Sequence, residues 1–183
     1  MLDAAVEAGA LASNPVRGSM SVSRPKTEDR ILTLTELETV RMAVEAWMTK
    51  DRPGPKASGD LADIIELMLA TGARIGEVLA LRWSDIDLVA RTVEVNATIK
   101  TQAGKGTYRK PLPNARVLEL NAFAMAVLRR RQDLNGPLAS EGVFPTRNGT
   151  WQQVNNVERR WRQVRQEAGL GWVTPQAFRR SAG

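Results

Sequence analysis

The sequence contains no cysteine and no histidine. Without cysteine there is no disulfide framework and no thiolate nucleophile. Without histidine the commonest general base and the commonest zinc ligand are both missing. Aromatic residues make up only 5% of the chain, and Tyr108 is the single tyrosine. Long apolar runs are missing as well. The longest, near Ile64–Leu69, falls far short of the ~20 residues that cross a bilayer. Asp3 and Glu7 stand where a secretory signal carries basic residues. These absences lead to the expectation of a cytoplasmic protein with no membrane partner.

What is present is an ordinary globular composition with a lopsided charge. The 183 residues are 43% hydrophobic and 25% charged, which suits one domain with a fragment attached. The net charge is +6, and Arg129 to Gly183 holds ten arginines against four acids, so that segment carries the whole surplus. None of its basic residues is lysine. Arginine presents a planar fork that matches phosphate oxygens. Two readings stay open: a solvated helix face, or a face for a polyanion such as nucleic acid.

Arg74 breaks the most apolar stretch, Leu67 to Trp83. A guanidinium is costly to desolvate unless acceptors meet it, so this residue needs a partner. The surrounding pattern predicts a mainly α chain with a small antiparallel sheet. A short amphipathic helix over 2–11 precedes a polar, basic linker that runs to Thr27. Thr35-Glu36-Leu37-Glu38 reads as a capping box that opens a helix through Trp47. Lys50 to Gly59, with two prolines and two glycines, reads as a loop. Asp60 starts a helix through Ala70, Gly72 breaks it, and Arg74–Trp83 continues as another. Arg74 then lies at the edge of the buried stripe, with Val78 and Leu81 at helical spacing.

Strands are expected next. Thr92–Thr98 alternates and is rich in β-formers, Gln102–Gly106 is a turn, and Arg116–Leu120 is a second short run. Tyr108, Arg109, Lys110 and two prolines fall between them as an exposed hairpin or loop. Helices follow over Ala122–Gln132 and Asn155–Ala168, with Gly169 as a stop. Thr174-Pro175 begins a last helix with proline at its first position.

In order and spacing, four features resemble the catalytic domain of the tyrosine recombinases, the phage integrase family. They are Thr71-Gly72-Ala73-Arg74-Ile75-Gly76-Glu77, lysines on a hairpin about 30 residues later, an arginine-rich helix, and Thr174-Pro175-Gln176-Ala177-Phe178-Arg179-Arg180-Ser181. Val143-Phe144-Pro145 and Trp172-Val173 add to the likeness. It implies a catalytic-domain-like region over 30–183. Residues 1–29 are then the end of a core-binding domain plus its linker.

The resemblance implies site-specific DNA recombination and integration by strand breakage and rejoining. A tyrosine attacks a phosphodiester and leaves a 3′-phosphotyrosyl link with a free 5′-hydroxyl. It implies double-stranded DNA and other recombinase subunits as partners, no small-molecule substrate, no metal and no cofactor. The setting would be prokaryotic cytoplasm, at the nucleoid when DNA is bound. Arg74 and Arg179 match the two family arginines that hold the non-bridging oxygens. Glu77, three residues after Arg74, matches a supporting acid. Lys110 is the first choice for the hairpin lysine that protonates the leaving oxygen, with Lys105 as the alternative. Gln176 stands where the family usually has histidine or lysine; it donates a hydrogen bond but shuttles no proton.

Tyr108 lies upstream of Arg179 and does not match the nucleophile, and the chain ends four residues after Arg179. The expectation is a catalytically incomplete, DNA-binding fragment. The alternative is a non-enzymatic DNA-binding protein that acts as decoy or inhibitor of an intact integrase.

Overall fold

The computed structural model describes residues 2–16, 30–51, 59–135 and 140–182. The linker expected up to Thr27 and the loop before Gly59 lie largely outside them. Helix α1 is Leu2–Glu7, shorter than expected, and it buries none of its residues. No described helix is long and apolar enough to cross a membrane.

The centre of the molecule is α3, Asp60–Thr71. It buries Leu61, Ile64, Ile65, Leu67 and Met68. A helix apolar on nearly every side has to be surrounded, and it is. Around it pack α2 (Leu34–Thr49), α4 (Ile75–Val78), α5 (Ala122–Asn135), α6 (Val154–Glu167) and α7 (Pro175–Arg180). Leu61, Ile64, Leu67 and Met68 are each at most 2% exposed, and such burial contributes roughly 1.5–3 kcal/mol per side chain. Phe144 and Phe178 complete the core, with Phe178 tilted against Trp161 at 5.0 Å between ring centres.

The capping box of α2 lies two residues before the expected one. Thr33 Oγ1 accepts the Glu36 N–H at 3.2 Å, and Glu36 Oε2 accepts the Thr33 N–H at 2.9 Å. Thr33 and Thr35 both have glutamate three residues on. The upstream pair prevails because it adds helical residues without disturbing the apolar face of Val40, Val44 and Trp47.

The expected helix from Arg74 to Trp83 is the largest departure. Only α4 is α-helical there, and the chain then turns into a 3₁₀ segment at Trp83–Asp85. An acid three residues along captures a backbone amide at each start. Glu77 Oε2 accepts the Arg74 N–H at 2.9 Å, and Asp85 Oδ2 accepts the Arg82 N–H at 3.0 Å. Two such caps eight residues apart divide the segment into two short turns.

Strands β1 (Ile86–Asp87), β2 (Thr92–Gln102) and β3 (Gly106–Glu119) form an antiparallel sheet in that order. Val93, Val95, Ala97 and Ile99 of β2 are buried. Strand β3 begins ten residues before the expected Arg116 and takes in Tyr108, Arg109 and Lys110. Its prolines fall at or next to an irregularity. Between the pairs Val95–Arg116 and Ala97–Pro111, Asn96 alone lies opposite Leu112–Ala115. An unpaired stretch needs no ladder donor, which lets proline into the strand.

Candidate functional site

Gly72 builds the corner where the end of α3 meets α7. It ends α3 with φ 62°, and its N–H donates to Met68 O at 2.9 Å. This left-handed conformation suits glycine. A Cβ here would lie 3.4 Å from Ala182 Cβ and 3.8 Å from the Arg179 carbonyl oxygen. The end of α3 therefore rests on α7, and Arg74 follows two residues later. The chain segments that bear Arg74 and Arg179, 105 residues apart in sequence, come together at this joint.

Arg74 caps α4. Its side chain is 63% exposed, with Nη1 donating to Glu77 Oε1 at 3.0 Å. Glu77 is 2% exposed and also accepts from Arg116 Nη2 at 2.6 Å. Burial pushes the Glu77 carboxyl up. Hydrogen bonds from Arg116 and from the Arg74 amide and guanidinium outweigh it, so the carboxyl sits below its ordinary value. Glu77 thus stays ionised and steadies one edge of the Arg74 fork, while the rest of that guanidinium faces solvent. The question raised by an arginine in an apolar stretch has a local answer: the side chain leaves the core, tethered to a buried acid.

Arg179 is half-buried on α7, and its guanidinium has no hydrogen-bond or ion-pair partner among the described residues. Gln176, one turn earlier, is exposed. The helix starts as expected, with Thr174 at the cap and Pro175 in the first turn.

Gly76 joins this corner to the hairpin. A Cβ on Gly76 would sit 2.7 Å from Thr98 Oγ1, closer than real contacts allow. Lys110 is the direct cross-strand partner of Thr98, and such partners share a face of the sheet. Lys100, which the motif reading passed over, is two residues beyond Thr98 and so on the same face. Lys105 lies in the tip, its ammonium 4.0 Å above the Tyr108 ring. The Tyr108 hydroxyl donates to Gln102 Oε1 at 3.3 Å. Chemically, two planar forks and a hairpin ammonium form a set suited to an anion with several oxygens.

The arginine surplus is less free than its count suggests. Arg131 is 5% exposed, donates to Asp60, Asp63 and the Val143 carbonyl, and lies 4.6 Å over the Phe144 ring. Arg130 pairs with Asp63. Arg160 donates to Gln152, which donates in turn to Asp60. These three arginines join α3, α5 and α6 together. Arg129, Arg147, Arg159 and Arg162 are exposed. Arg116, Arg109 and Asp85 also went unnoticed in the sequence. Their partners are distant along the chain, and no local pattern signals such pairs.

Residues 32–183 match the model of the Phage integrase family. The tyrosine recombinase XerC of Xylella fastidiosa is 29% identical over 178 residues, covering 96% of this chain and 53% of that protein. The chain therefore spans about half the length of the curated relatives it matches. Among solved structures, the Tn1549 transposon integrase in complex with circular intermediate DNA aligns with 98% of this chain and 60% of its own, at TM-score 0.70 and 19% identity. A lambda integrase dimer bound to a COC′ core site aligns with 98% and 47%, at TM-score 0.60 and 20% identity. At these identities the structural likeness speaks for the fold: a helical domain with a small three-stranded antiparallel sheet.

Proposed function

The chain belongs to the phage integrase family, and from that premise we propose that it binds duplex DNA and grips one phosphate in the corner between α3 and α7. The Tn1549 and lambda integrase structures are complexes with DNA, which favours DNA as the partner. In this reading residues 30–183 are the catalytic-domain-like part, and 1–29 belong to a preceding core-binding domain and linker. The work is site-specific recombination among recombinase subunits, in the cytoplasm, where the DNA is.

Arg74 and Arg179 donate to the two non-bridging oxygens, where negative charge gathers as the phosphorus becomes five-coordinate. Preorganised donors of this kind contribute a factor of ~10²–10³ each. Glu77 orients Arg74. Gln176 donates a hydrogen bond near the same phosphate. Lys110, or Lys105 in its place, gives a proton to the 5′-oxygen as the P–O5′ bond breaks and a tyrosine oxygen bonds to phosphorus. Neither metal nor cofactor enters this scheme. Lys100 joins the candidates because it shares the face of Thr98.

The observation that carries the reading is the packing of α3 on α7, with the Arg179 carbonyl 3.8 Å from where a Gly72 Cβ would stand, which favours two distant arginine motifs acting on one group. The attacking tyrosine has no match in these residues, since Tyr108 lies on the hairpin and its hydroxyl is bonded to Gln102. A second reading of these residues is DNA binding without strand transfer, as a decoy or inhibitor of an intact integrase. Two measurements test both. Arg74→Ala should weaken binding to recombination-site DNA and lower the salt slope by about one; unchanged affinity and slope sink the phosphate grip. Nicked suicide DNA should give no covalent adduct, and an adduct mapped to Tyr108 overturns the assignment of that residue.

A further inference from the structure

The irregularity in the sheet divides the hairpin into two parts. Thr92–Val95 pairs with Arg116–Glu119 near the body of the protein, and Ala97–Gln102 pairs with Gly106–Pro111 beyond it. Ala97 and Ile99 are buried and Thr98 packs on Gly76, so the β2 side of the outer part is held by the core; with Leu112–Ala115 outside the ladder, the β3 side has no backbone pairing at the break to fix it. The outer part carries Lys100, Lys105 and Lys110.

From the β3 side, a charged side chain crosses back. Arg109 is 16% exposed. Its Nε donates to the Ala80 carbonyl at 2.9 Å, and its Nη2 donates to Asp85 Oδ2 at 3.0 Å and to Asn96. Ala80 lies in the turn that ends α4, six residues after Arg74. The Asp85 carboxylate is 3% exposed, and it also accepts from Arg82 Nη2 at 3.1 Å and Asn96 Nδ2 at 3.2 Å. Arg82 reaches on to Glu141 at 3.0 Å. On the β3 side, a single guanidinium thus ties the outer hairpin to the turn after α4, to the 3₁₀ segment and to the irregular residue itself. It is the immediate neighbour of Lys110.

We infer that Arg109 is a positioning residue, a strap that holds the outer hairpin, and with it the hairpin lysine, at a set distance from Arg74. The inference rests on the reading of that lysine given above. A planar fork with several donors meets three acceptors at once. Lysine has one nitrogen at the end of a flexible stem and cannot reproduce the geometry. The ionised Asp85 beneath it is the anchor, and Asn96 fills the gap at the break.

The test uses the 183-residue chain with Arg109→Lys and Arg109→Ala. Amide hydrogen exchange is read separately for the outer pairs (97–101 with 107–110) and the inner pairs (92–95 with 116–119). A strap predicts outer amides exchanging about tenfold faster or more in both variants, with inner amides unchanged. Equal acceleration of both sets would mean general destabilisation, and no acceleration would mean no strap; either result overturns the inference. A second readout follows the lysine itself, by NMR of ¹³C-methylated lysines with a duplex containing the recombination site. The DNA-induced shift of Lys110 should shrink at least about threefold in Arg109→Lys while affinity stays within about twofold. A Lys110 signal that ignores DNA in the native chain refutes the reading of that lysine, and the exchange data still decide the strap. A shift of native size in Arg109→Lys counts against positioning.

Discussion

Glu77 holds two arginines on one buried carboxylate, and its protonation should be visible in the stability of the whole chain. Its folded value lies below the ordinary 4.5, so the unfolded chain binds a proton more readily than the folded one. The contribution is then complete above the ordinary value and drains away as pH falls through the lower folded one. Asp85 behaves alike: burial pushes it up, but hydrogen bonds from the Arg82 side chain and amide and from Asn96, with the charge of Arg109, hold it below the ordinary 3.8. In Glu77→Gln the amide NH₂ meets at least one donor nitrogen. Breaking a buried pair costs ~3–5 kcal/mol; the lower end is expected because Arg74 and Arg116 stay partly in water. Urea midpoints at pH 7 and pH 3 check both claims. The variant should be less stable at pH 7 and should lose less on acidification. Equal losses in the two proteins would show that Glu77 is not the titrating group.

At the level of elements, α4 and β2 meet closely at Gly76 and Thr98. Gly76→Ala puts a methyl 2.7 Å from Thr98 Oγ1, and overpacking of this kind costs roughly 1–3 kcal/mol. Thr98→Ala removes the obstructing atom. The double variant should recover most of the loss, with a coupling of about 1 kcal/mol or more in a thermal-melt cycle; strict additivity would mean the two residues do not touch. Gly76 stands in the motif that flagged the site, yet its reason for being glycine appears only when β2 folds back onto it. The same limit explains which elements were legible beforehand. Helix α3 could be read from its apolar run and its terminal glycine, and α7 from Thr174-Pro175, because those signals are local. The early end of α4 was hidden, since Glu77 and Asp85 each cap an amide that apolar periodicity ignores. Strand β3 was hidden by Pro111 and Pro113, which argue against a strand unless the ladder is already broken there. The motif singled out Arg74, Glu77 and Arg179, and of these the Arg74–Glu77 pair is formed, whereas the pairings of Arg116 and Arg109 depend on acids 39 and 24 residues away.

Across the whole molecule, arginines stand in two settings, paired inside and unpaired at the surface, and counting residues does not distinguish them. Arg131 is 5% exposed, between Asp60, Asp63 and Phe144. Arg179 lies on the corner with no partner among the described residues. The first should matter for folding and the second for binding. Arg131→Met keeps an unbranched apolar stem but leaves Asp60 and Asp63 short of a charge. Removing one partner from a buried pair costs ~3–5 kcal/mol, of which Arg130 and Gln152 offset part, so a loss of about 2–4 kcal/mol is expected in urea. At a temperature where that variant is folded, its affinity for duplex DNA and its salt dependence should match the native chain. Arg179→Ala should show the reverse. Its stability should lie within about 1 kcal/mol of native, since no described ion pair is lost, and the slope of log affinity against log salt should fall by about one. If Arg131→Met lowers the salt slope as much as Arg179→Ala does, the division between structural and DNA-facing arginines fails, and the arginine surplus of the C-terminal segment acts as one diffuse field.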